Sequence, residues 1–199
     1  DRHAMGYPEE AYRVAYVEGV SNLARALGDE KPPRFVFTSS TGVYGHTDGS
    51  WVDEETSPFP RTPQAQALLD GERGACTQFS TPVIVRFGGI YGPGRTRLLE
   101  LVRDCKATIN PSVPRFTNRI HRDDCARVIH HLLELEQPET CYVGVDSAPA
   151  PRHEVLRWMA DVQGATPPNT GEVPPSLRGG NKRCRNTRLL SSGFVFTYP

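Results

Sequence analysis

The chain alternates between helix-like and strand-like patterns of apolar residues. Five segments carry apolar residues at helical spacing, and three short runs are continuously apolar, as strands are when helices cover both faces of a parallel sheet. The predicted helices are 8–27, 64–78, 96–105, 123–135 and 152–162, and the predicted strands are 34–37, 83–86 and 141–145. This regular alternation predicts an α/β fold with a parallel sheet.

Two segments, 46–63 and 106–117, follow neither pattern. The first is rich in Gly, Asp, Pro and Thr and contains Trp51. Irregular segments of this length in compact domains are usually functional or disordered. We therefore look for chemistry in the loops that follow the strands.

Composition and charge narrow the class of protein. The 199 residues are 37% hydrophobic and 23% charged, with 23 basic and 23 acidic side chains, so the net charge is zero. This balance gives no basic footprint for nucleic acid or an anionic membrane. No apolar run is long enough to span a bilayer, and no signal-peptide pattern is present, so we expect a cytoplasmic location. The five cysteines lack zinc-site spacing, so we expect reduced thiols and no metal site.

The glycine-rich stretch 88–94 follows a predicted strand and precedes a predicted helix, where phosphate-binding loops occur. Its spacing is not GxGxxG, Pro93 removes a backbone donor, and no acidic residue follows at a strand end. A ligand-lining turn that requires positive φ is therefore favoured over a pyrophosphate loop.

Several polar residues are candidates for a site, each with a structural alternative. Ser39 and Ser40 follow a strand at its carboxyl end, where open α/β sheets bind ligands, but strand-ending serines are also common cap residues. Tyr44 is a candidate proton donor, or an aromatic side chain packed under the loop. His121 is a candidate ligand contact, or a buried imidazole beside a helix that Asp123 caps.

Three segments together resemble the extended short-chain dehydrogenase/reductase superfamily, in its NAD-dependent epimerase/dehydratase branch. They are TSSTGVYG at 38–45, RFGGIYGPGR at 86–95 and NRIHRDDCA at 118–126. The segment 16–23 is similar to the family's helix before the serine strand. Three shorter segments, 51–54, 68–72 and 181–183, resemble the atypical, YeeZ-like subgroup.

The resemblance implies a fold in two parts. Residues 1–87 would form the second half of a Rossmann-type NAD(P)-binding domain, a parallel sheet with flanking helices. Residues 88–199 would form mainly a small C-terminal substrate-binding lobe, with helix 123–135 packing back on the sheet. We expect about 80 further residues before this chain, with the glycine-rich dinucleotide loop, by comparison with the six-stranded doubly wound fold. Their absence would leave an open sheet edge.

The resemblance also implies a reaction. In the family a serine holds the substrate oxygen while a tyrosine, assisted by a lysine, moves a proton during hydride transfer with NAD or NADP. We expect an oxidoreductase-type epimerase, dehydratase or reductase that acts on a small polar or sugar-like substrate. The implied site residues are Ser40 and Tyr44 (catalytic), Ser39, Phe87 and Ile90 (cofactor), and Tyr91, Arg95, His121 and Arg122 (substrate).

One departure from the family concerns catalysis itself. The family's YxxxK motif aligns here with ALLDG at 67–71, so the tyrosine and the lysine are both missing. A non-catalytic dinucleotide-binding or scaffold protein, or an inactive fragment, therefore remains an alternative to an enzyme. The family's usual dimer contacts imply a homodimer through helices 8–27 and 64–78.

Overall fold

The computed structural model describes residues 8–173 and 180–199. Its helices are α1 (Glu9–Tyr12), a π-helical segment (Arg13–Glu18), α2 (Gly19–Leu27), α3 (Pro63–Gln78), α4 (Arg97–Arg103), α5 (Arg122–Glu134), α6 (Arg152–Gln163) and α7 (Thr187–Ser191). Its strands are β1 (Phe35–Ser40), β2 (Trp51–Val52), β3 (Pro82–Phe87), β4 (Gly89–Tyr91), β5 (Thr108–Ile109), β6 (Phe116–Thr117), β7 (Arg119–His121), β8 (Cys141–Gly144), β9 (Ala150–Pro151), β10 (Asn169–Thr170) and β11 (Arg183–Cys184). All the predicted helices and strands are present, whereas α7 and the short strands were not predicted.

Three parallel strands form the central sheet in the order β1-β3-β8. Alternate residues of β3 face opposite cores. Val83 and Val85 pack with residues of α5, and Ile84 packs with residues of α2 and α3. Helices therefore cover both faces, which explains why the strand sequences are continuously apolar. The predicted Rossmann-type α/β fold with a parallel sheet is confirmed.

Strand β1 extends further than its apolar run predicted, because Ser39 and Ser40 are its last two residues. Within the described residues, β1 is an edge strand that pairs with β3 alone. In the register of this pair, Ser40 lies opposite Phe87. The polar residues that end β1 therefore lie beside the carboxyl end of β3, where ligands of open α/β sheets bind.

The predicted helix 8–27 contains the π-helical segment, in which the Gly19 N–H donates to the carbonyl of Val14, five residues back. Helix α3 approaches this segment closely. A Cβ atom at Gly71 would lie 2.6 Å from the carbonyl oxygen of Tyr16, so only a residue without a side chain allows this approach. Single π turns within helices often occur at functional sites.

A smaller region follows β3. A core of Val102, Ala107, Ile109, Leu156 and Ala160 packs α4 against α6, while α5 contributes Val128 and Leu132 to the core of the central sheet. The division of the chain into domains at residue 87 stays a prediction. Across 8–173 and 180–199, no helix combines the length and apolar character needed to cross a membrane.

Candidate functional site

A network of buried polar side chains lies at the carboxyl ends of β1 and β3. The Ser39 hydroxyl donates to Glu72 Oε1 (2.5 Å), and the Arg86 guanidinium donates to both carboxylate oxygens of Glu72 (3.0 and 2.6 Å). Arg86 also donates to the Tyr44 hydroxyl (2.7 Å), which in turn donates to the backbone oxygen of Asp53 (2.7 Å). The network joins β1, β3 and α3 to the loop after β1.

Tyr44 occupies the interior end of this network and is fully buried. Burial raises the pKa of its hydroxyl well above the usual range, and the neighbouring Arg86 opposes this only in part. A hydroxyl that resists ionisation and already donates its proton to a backbone oxygen is poorly suited to acid/base catalysis. The catalytic role of Tyr44 stays a prediction, and the geometry favours its structural alternative. The Ser39 hydroxyl, predicted to contact the cofactor, is likewise engaged with Glu72.

Ser40 differs from Ser39 because it is only half-buried and borders a cavity. Its Oγ accepts a hydrogen bond from the Gly42 N–H (3.0 Å), and among the described residues this is the bond its side chain makes. The hydroxyl proton can therefore point towards a ligand. The cavity of about 180 Å³ is lined by Tyr12, Ser40, Gly42, Thr62, Gln64, Ala65 and Leu68. It is smaller than the roughly 300–1,000 Å³ of drug-sized sites, so it fits one ring or one end of a larger ligand.

Helix α3 contributes Gln64 and Leu68, four residues apart, to the wall of this cavity. The sequence alignment placed the family's tyrosine and lysine positions at Ala67 and Gly71. Both of these residues are buried outside the cavity lining, and Gly71 contacts the π-helical segment. Gln64 and Leu68, each three residues earlier along α3, are the residues with the same spacing that line the cavity with Ser40. Neither Gln64 nor Leu68 can replace a tyrosine or a lysine in proton transfer.

The two apolar residues predicted to contact the nicotinamide lie next to the Ser40 end of the sheet. Phe87, the last residue of β3, is buried, and its ring packs so closely on Gly144 that a Cβ there would lie 2.5 Å away. Ile90 in β4 is half-buried and packs against the same core. Their contact with a cofactor stays a prediction.

His121 has a structural position. It is buried, and its Nδ1 accepts a hydrogen bond from the Asp123 N–H (3.2 Å), so His121 rather than Asp123 caps α5. Its ring stacks on Tyr198 with centroids 3.8 Å apart and meets Tyr91 edge-on at 5.2 Å. These contacts leave little of the imidazole exposed, and its role in substrate binding, like that of Tyr91, stays a prediction.

The glycine-rich turn packs on this histidine. Gly92 and Gly94 both have positive φ, as the sequence predicted for this turn. A Cβ at Gly92 would lie 2.8 Å from His121 Nε2, so the turn is fixed by packing. This observation favours a structural turn over a phosphate loop.

Arg95 and Arg122 lie on the exposed side of this turn. The Arg122 guanidinium donates to the carbonyl of Pro93 (2.9 Å) and pairs with Asp123 (3.1 Å). Neither arginine belongs to the lining of the Ser40 cavity. Their predicted contact with substrate stays a prediction.

A second cavity, of about 400 Å³, lies in the region after β3 and was missed by the sequence analysis. It is lined by Ile109, Asn110, Val113, Arg115, Arg152, His153, Glu172 and Val173. Burial lowers the pKa of Arg152, and so does the positive charge of Arg115 and Arg97. Two arginines, Arg115 and Arg152, thus line one cavity together with the carboxylate of Glu172. No sequence signal marks it, because its residues come from separate segments of the chain.

The parallel sheet, its two helical layers and the polar groups at its carboxyl edge define a Rossmann-type α/β protein. The model of the NAD dependent epimerase/dehydratase family matches residues 1–144, and the chain belongs to this family. This confirms the branch predicted from the three motifs.

Similar proteins support this assignment. The YeeZ protein of Escherichia coli (strain K12) is 29% identical over 186 residues, which cover 92% of this chain and 65% of YeeZ. The chain thus spans 65% of the length of this curated relative. A solved protein from Methylobacillus flagellatus, assigned to the NAD-dependent epimerase/dehydratases, is 39% identical, with a TM-score of 0.80 over 96% of this chain and 68% of that chain. The fold is shared with UDP-glucuronic acid 4-epimerase from Bacillus cereus in complex with NAD, at 20% identity and a TM-score of 0.80 over 98% of this chain and 67% of that chain.

Folds of this type bind a dinucleotide at the carboxyl edge of the central sheet. Ser40 and Phe87 are the last residues of β1 and β3, at the edge of the sheet where such folds bind ligands, and Ile90 follows in β4. The glycine-rich turn at 92–94 leads from β4 towards α4, but its packing on His121 and the missing N–H of Pro93 make it a poor cradle for a pyrophosphate. Residues 8–173 and 180–199 contain no group of three or more His, Cys, Asp or Glu side chains able to hold a metal ion.

Proposed function

We propose that this chain forms the substrate side of an NAD(P)-dependent epimerase, dehydratase or reductase that acts on a small polar or sugar-like compound. The observation that carries this proposal is the half-buried Ser40 hydroxyl, which borders a cavity at the carboxyl end of β1. A hydroxyl in that position can donate a hydrogen bond to the reacting oxygen of a substrate.

A bound nicotinamide dinucleotide would supply hydride transfer. The residues of this chain would bind and orient the substrate: the hydroxyls of Ser40 and Thr62 and the amide of Gln64 give the cavity polar walls. Leu68 and Ala65 add apolar surface that excludes water from the reacting atoms.

The second cavity supports an anionic substrate. Arg115 and Arg152 line it beside Glu172, and a phosphate or carboxylate there would accept hydrogen bonds from the two guanidinium groups. The Bacillus cereus epimerase has also been solved in complex with UDP-glucuronic acid and NAD. We therefore propose a sugar nucleotide, or a compound of similar charge, as the substrate class.

Isothermal titration calorimetry of the full-length protein that carries this chain, with NADH and, separately, with UDP-glucuronic acid, tests this proposal. We expect saturable binding of each compound. Arg152→Gln should weaken binding of UDP-glucuronic acid at least tenfold, whereas Arg157→Gln, at an exposed position of the same helix, should leave it unchanged. Failure of the full-length wild-type protein to bind either compound would refute the proposal.

Gln64 and Leu68 favour a second candidate, a dinucleotide-binding protein without catalysis, because neither side chain can carry a proton at the cavity. Absorbance at 340 nm after mixing NAD⁺ with UDP-glucuronic acid separates the two functions. Hydride transfer that disappears in Ser40→Ala would exclude the non-catalytic candidate.

We also propose a homodimer that forms through the α1–α2 helices and α3. The outer surface of the first helices exposes Val14 (48%) and Leu23 (43%), apolar side chains that a second copy of the chain could cover.

A further inference from the structure

The cavity beside Ser40 contains a tyrosine that no motif identified. Tyr12, the last residue of α1, lines the cavity with Ser40 and Gln64. Its ring centroid lies 5.4 Å from that of Tyr16, and both rings pack against a buried core that includes Val43 and Leu68. Packing therefore fixes the half-buried Tyr12 ring on one side, while the residue borders the cavity on the other.

Tyr12 is the one residue in this lining, within the described part of the chain, whose side chain takes part in general acid/base chemistry. The Thr62 hydroxyl caps α3 by accepting a hydrogen bond from the Ala65 N–H (3.2 Å). Ser40 can orient a substrate oxygen, but a serine hydroxyl is too weak an acid to serve as a general acid or base near neutral pH. The amide of Gln64 does not titrate.

The other candidate proton carriers have structural contacts instead. Tyr44 donates to the backbone of Asp53, and His121 caps α5 beneath Tyr198. Tyr16 packs edge-on against Phe37 with centroids 6.1 Å apart, and burial raises the pKa of its hydroxyl. None of these three side chains belongs to the described lining of the Ser40 cavity, whereas Tyr12 does.

The π-helical segment helps to hold this arrangement. It begins directly after Tyr12, and its wider turn keeps Tyr12 and Tyr16 on the same side of the helix. Gly71 of α3 lies against the Tyr16 carbonyl and so restrains the π-helical segment. Helix α3 is the helix that aligns with the family's YxxxK motif. The position of Tyr12 thus depends on two helices.

We propose that Tyr12 is the catalytic acid/base of the Ser40 site, an inference that rests on the proposed function. In the oxidising direction, the substrate hydroxyl would donate a hydrogen bond to Tyr12 Oη while Ser40 holds the substrate oxygen. The substrate O–H bond would break with its proton passing to Tyr12 Oη as the phenol proton leaves to water, and the C–H bond would break with its hydride passing to a bound oxidised nicotinamide dinucleotide. The substrate would leave as a carbonyl compound, and Tyr12 would keep one proton throughout. Reduction follows the reverse course.

The test compares Tyr12→Phe with the matched variant Tyr16→Phe, which removes the same hydroxyl one turn along the helix. With NAD⁺ and UDP-glucuronic acid, Tyr12→Phe should lower kcat by ~10² to 10⁴ with little change in KM, and Tyr16→Phe should stay within threefold of wild type.

A labelling experiment provides a readout that does not depend on turnover. N-acetylimidazole acetylates accessible tyrosine hydroxyls, and peptide mass spectrometry locates the product. NAD⁺ with UDP-glucuronic acid should protect Tyr12 at least tenfold and leave the exposed Tyr198 unprotected.

The outcomes separate this inference from the proposed function. If calorimetry shows that neither compound binds to wild type, the proposed function is wrong and the role of Tyr12 falls with it. If both compounds bind but Tyr12 is acetylated equally in their presence, or if Tyr12→Phe turns over like wild type, the assignment of Tyr12 is overturned while the proposed function stands.

Discussion

The buried pair of Glu72 and Arg86 allows a quantitative prediction of stability. Their side chains are 5% and 8% exposed, and the guanidinium bonds both carboxylate oxygens. Burial alone would lower the pKa of Arg86, but its hydrogen bonds to Glu72 and the surrounding groups raise it, so Arg86 stays charged. The variant Glu72→Gln keeps the size and one acceptor of the side chain but leaves this charge without its counterion.

Removal of one partner from a buried ion pair costs about 3–5 kcal/mol, because the other charge stays desolvated. We expect Glu72→Gln to lower the free energy of unfolding by about that amount, and the midpoint temperature by roughly 6–20 °C for a domain of this size. Urea denaturation followed by circular dichroism measures the change. The double variant Glu72→Leu/Arg86→Met should recover most of the loss, because apolar residues replace both charges.

Asp70→Asn is the matched control. Asp70 lies two residues earlier on α3 and pairs with Arg73 at 3.3 Å, but these side chains are 30% and 68% exposed. Loss of an exposed pair costs about 0–1 kcal/mol. If Glu72→Gln were no more destabilising than Asp70→Asn, the view that the network holds the sheet edge together would be wrong.

Three further outcomes follow from contacts in the structure. Burial would raise the pKa of Asp124, but hydrogen bonds from two backbone N–H groups and a neighbouring arginine lower it. The ionised carboxylate therefore stabilises the fold at neutral pH, and this contribution is lost as the pH falls through the pKa of Asp124 in the folded state. Acid titration of unfolding should show the loss in wild type but not in Asp124→Asn. Gly71→Ala should destabilise by about 1–3 kcal/mol in urea because its Cβ would lie 2.6 Å from the Tyr16 carbonyl, whereas Gly74→Ala, with 3.6 Å to its nearest neighbour, should stabilise by about 0.5–1 kcal/mol. Leu23→Asp should convert the proposed dimer to monomer in light scattering with unchanged circular dichroism, and a wild-type chain that stays monomeric at high concentration contradicts the dimer.

The central sheet was predictable because its signal is local. Each of its strands is a short apolar run, and the burial of β3 on both faces is what makes that run continuous rather than alternating. The end of β1 was placed too early, because the hydroxyls of Ser39 and Ser40 resemble a turn although their backbone still pairs with β3. Strand ends that carry functional polar groups are hard to recognise for this reason.

The site was less predictable because its contacts join distant segments. His121 and Asp123 were correctly grouped at the start of a helix, but the cap is the imidazole, and its stacking partner Tyr198 is far away in the sequence. The π-helical segment likewise depends on Gly71 in another helix. An alignment of the family's YxxxK motif could not fix which turn of α3 faces Ser40; the packing of that helix decides it.

In the proposed function, different residues at the end of β1 carry stability and chemistry, and this separation is itself testable. The network of Ser39, Glu72 and Arg86 is buried and internally satisfied, whereas Ser40 and Tyr12 border a cavity. Ser40→Ala and Tyr12→Phe should therefore strongly slow hydride transfer while the free energy of unfolding stays within about 1 kcal/mol of wild type, since neither leaves a buried charge unpaired. Glu72→Gln should do the opposite and destabilise the fold without removing a polar group from the cavity. Equal loss of stability in both sets of variants would contradict this separation, because it would mean that the cavity residues are part of the structural network.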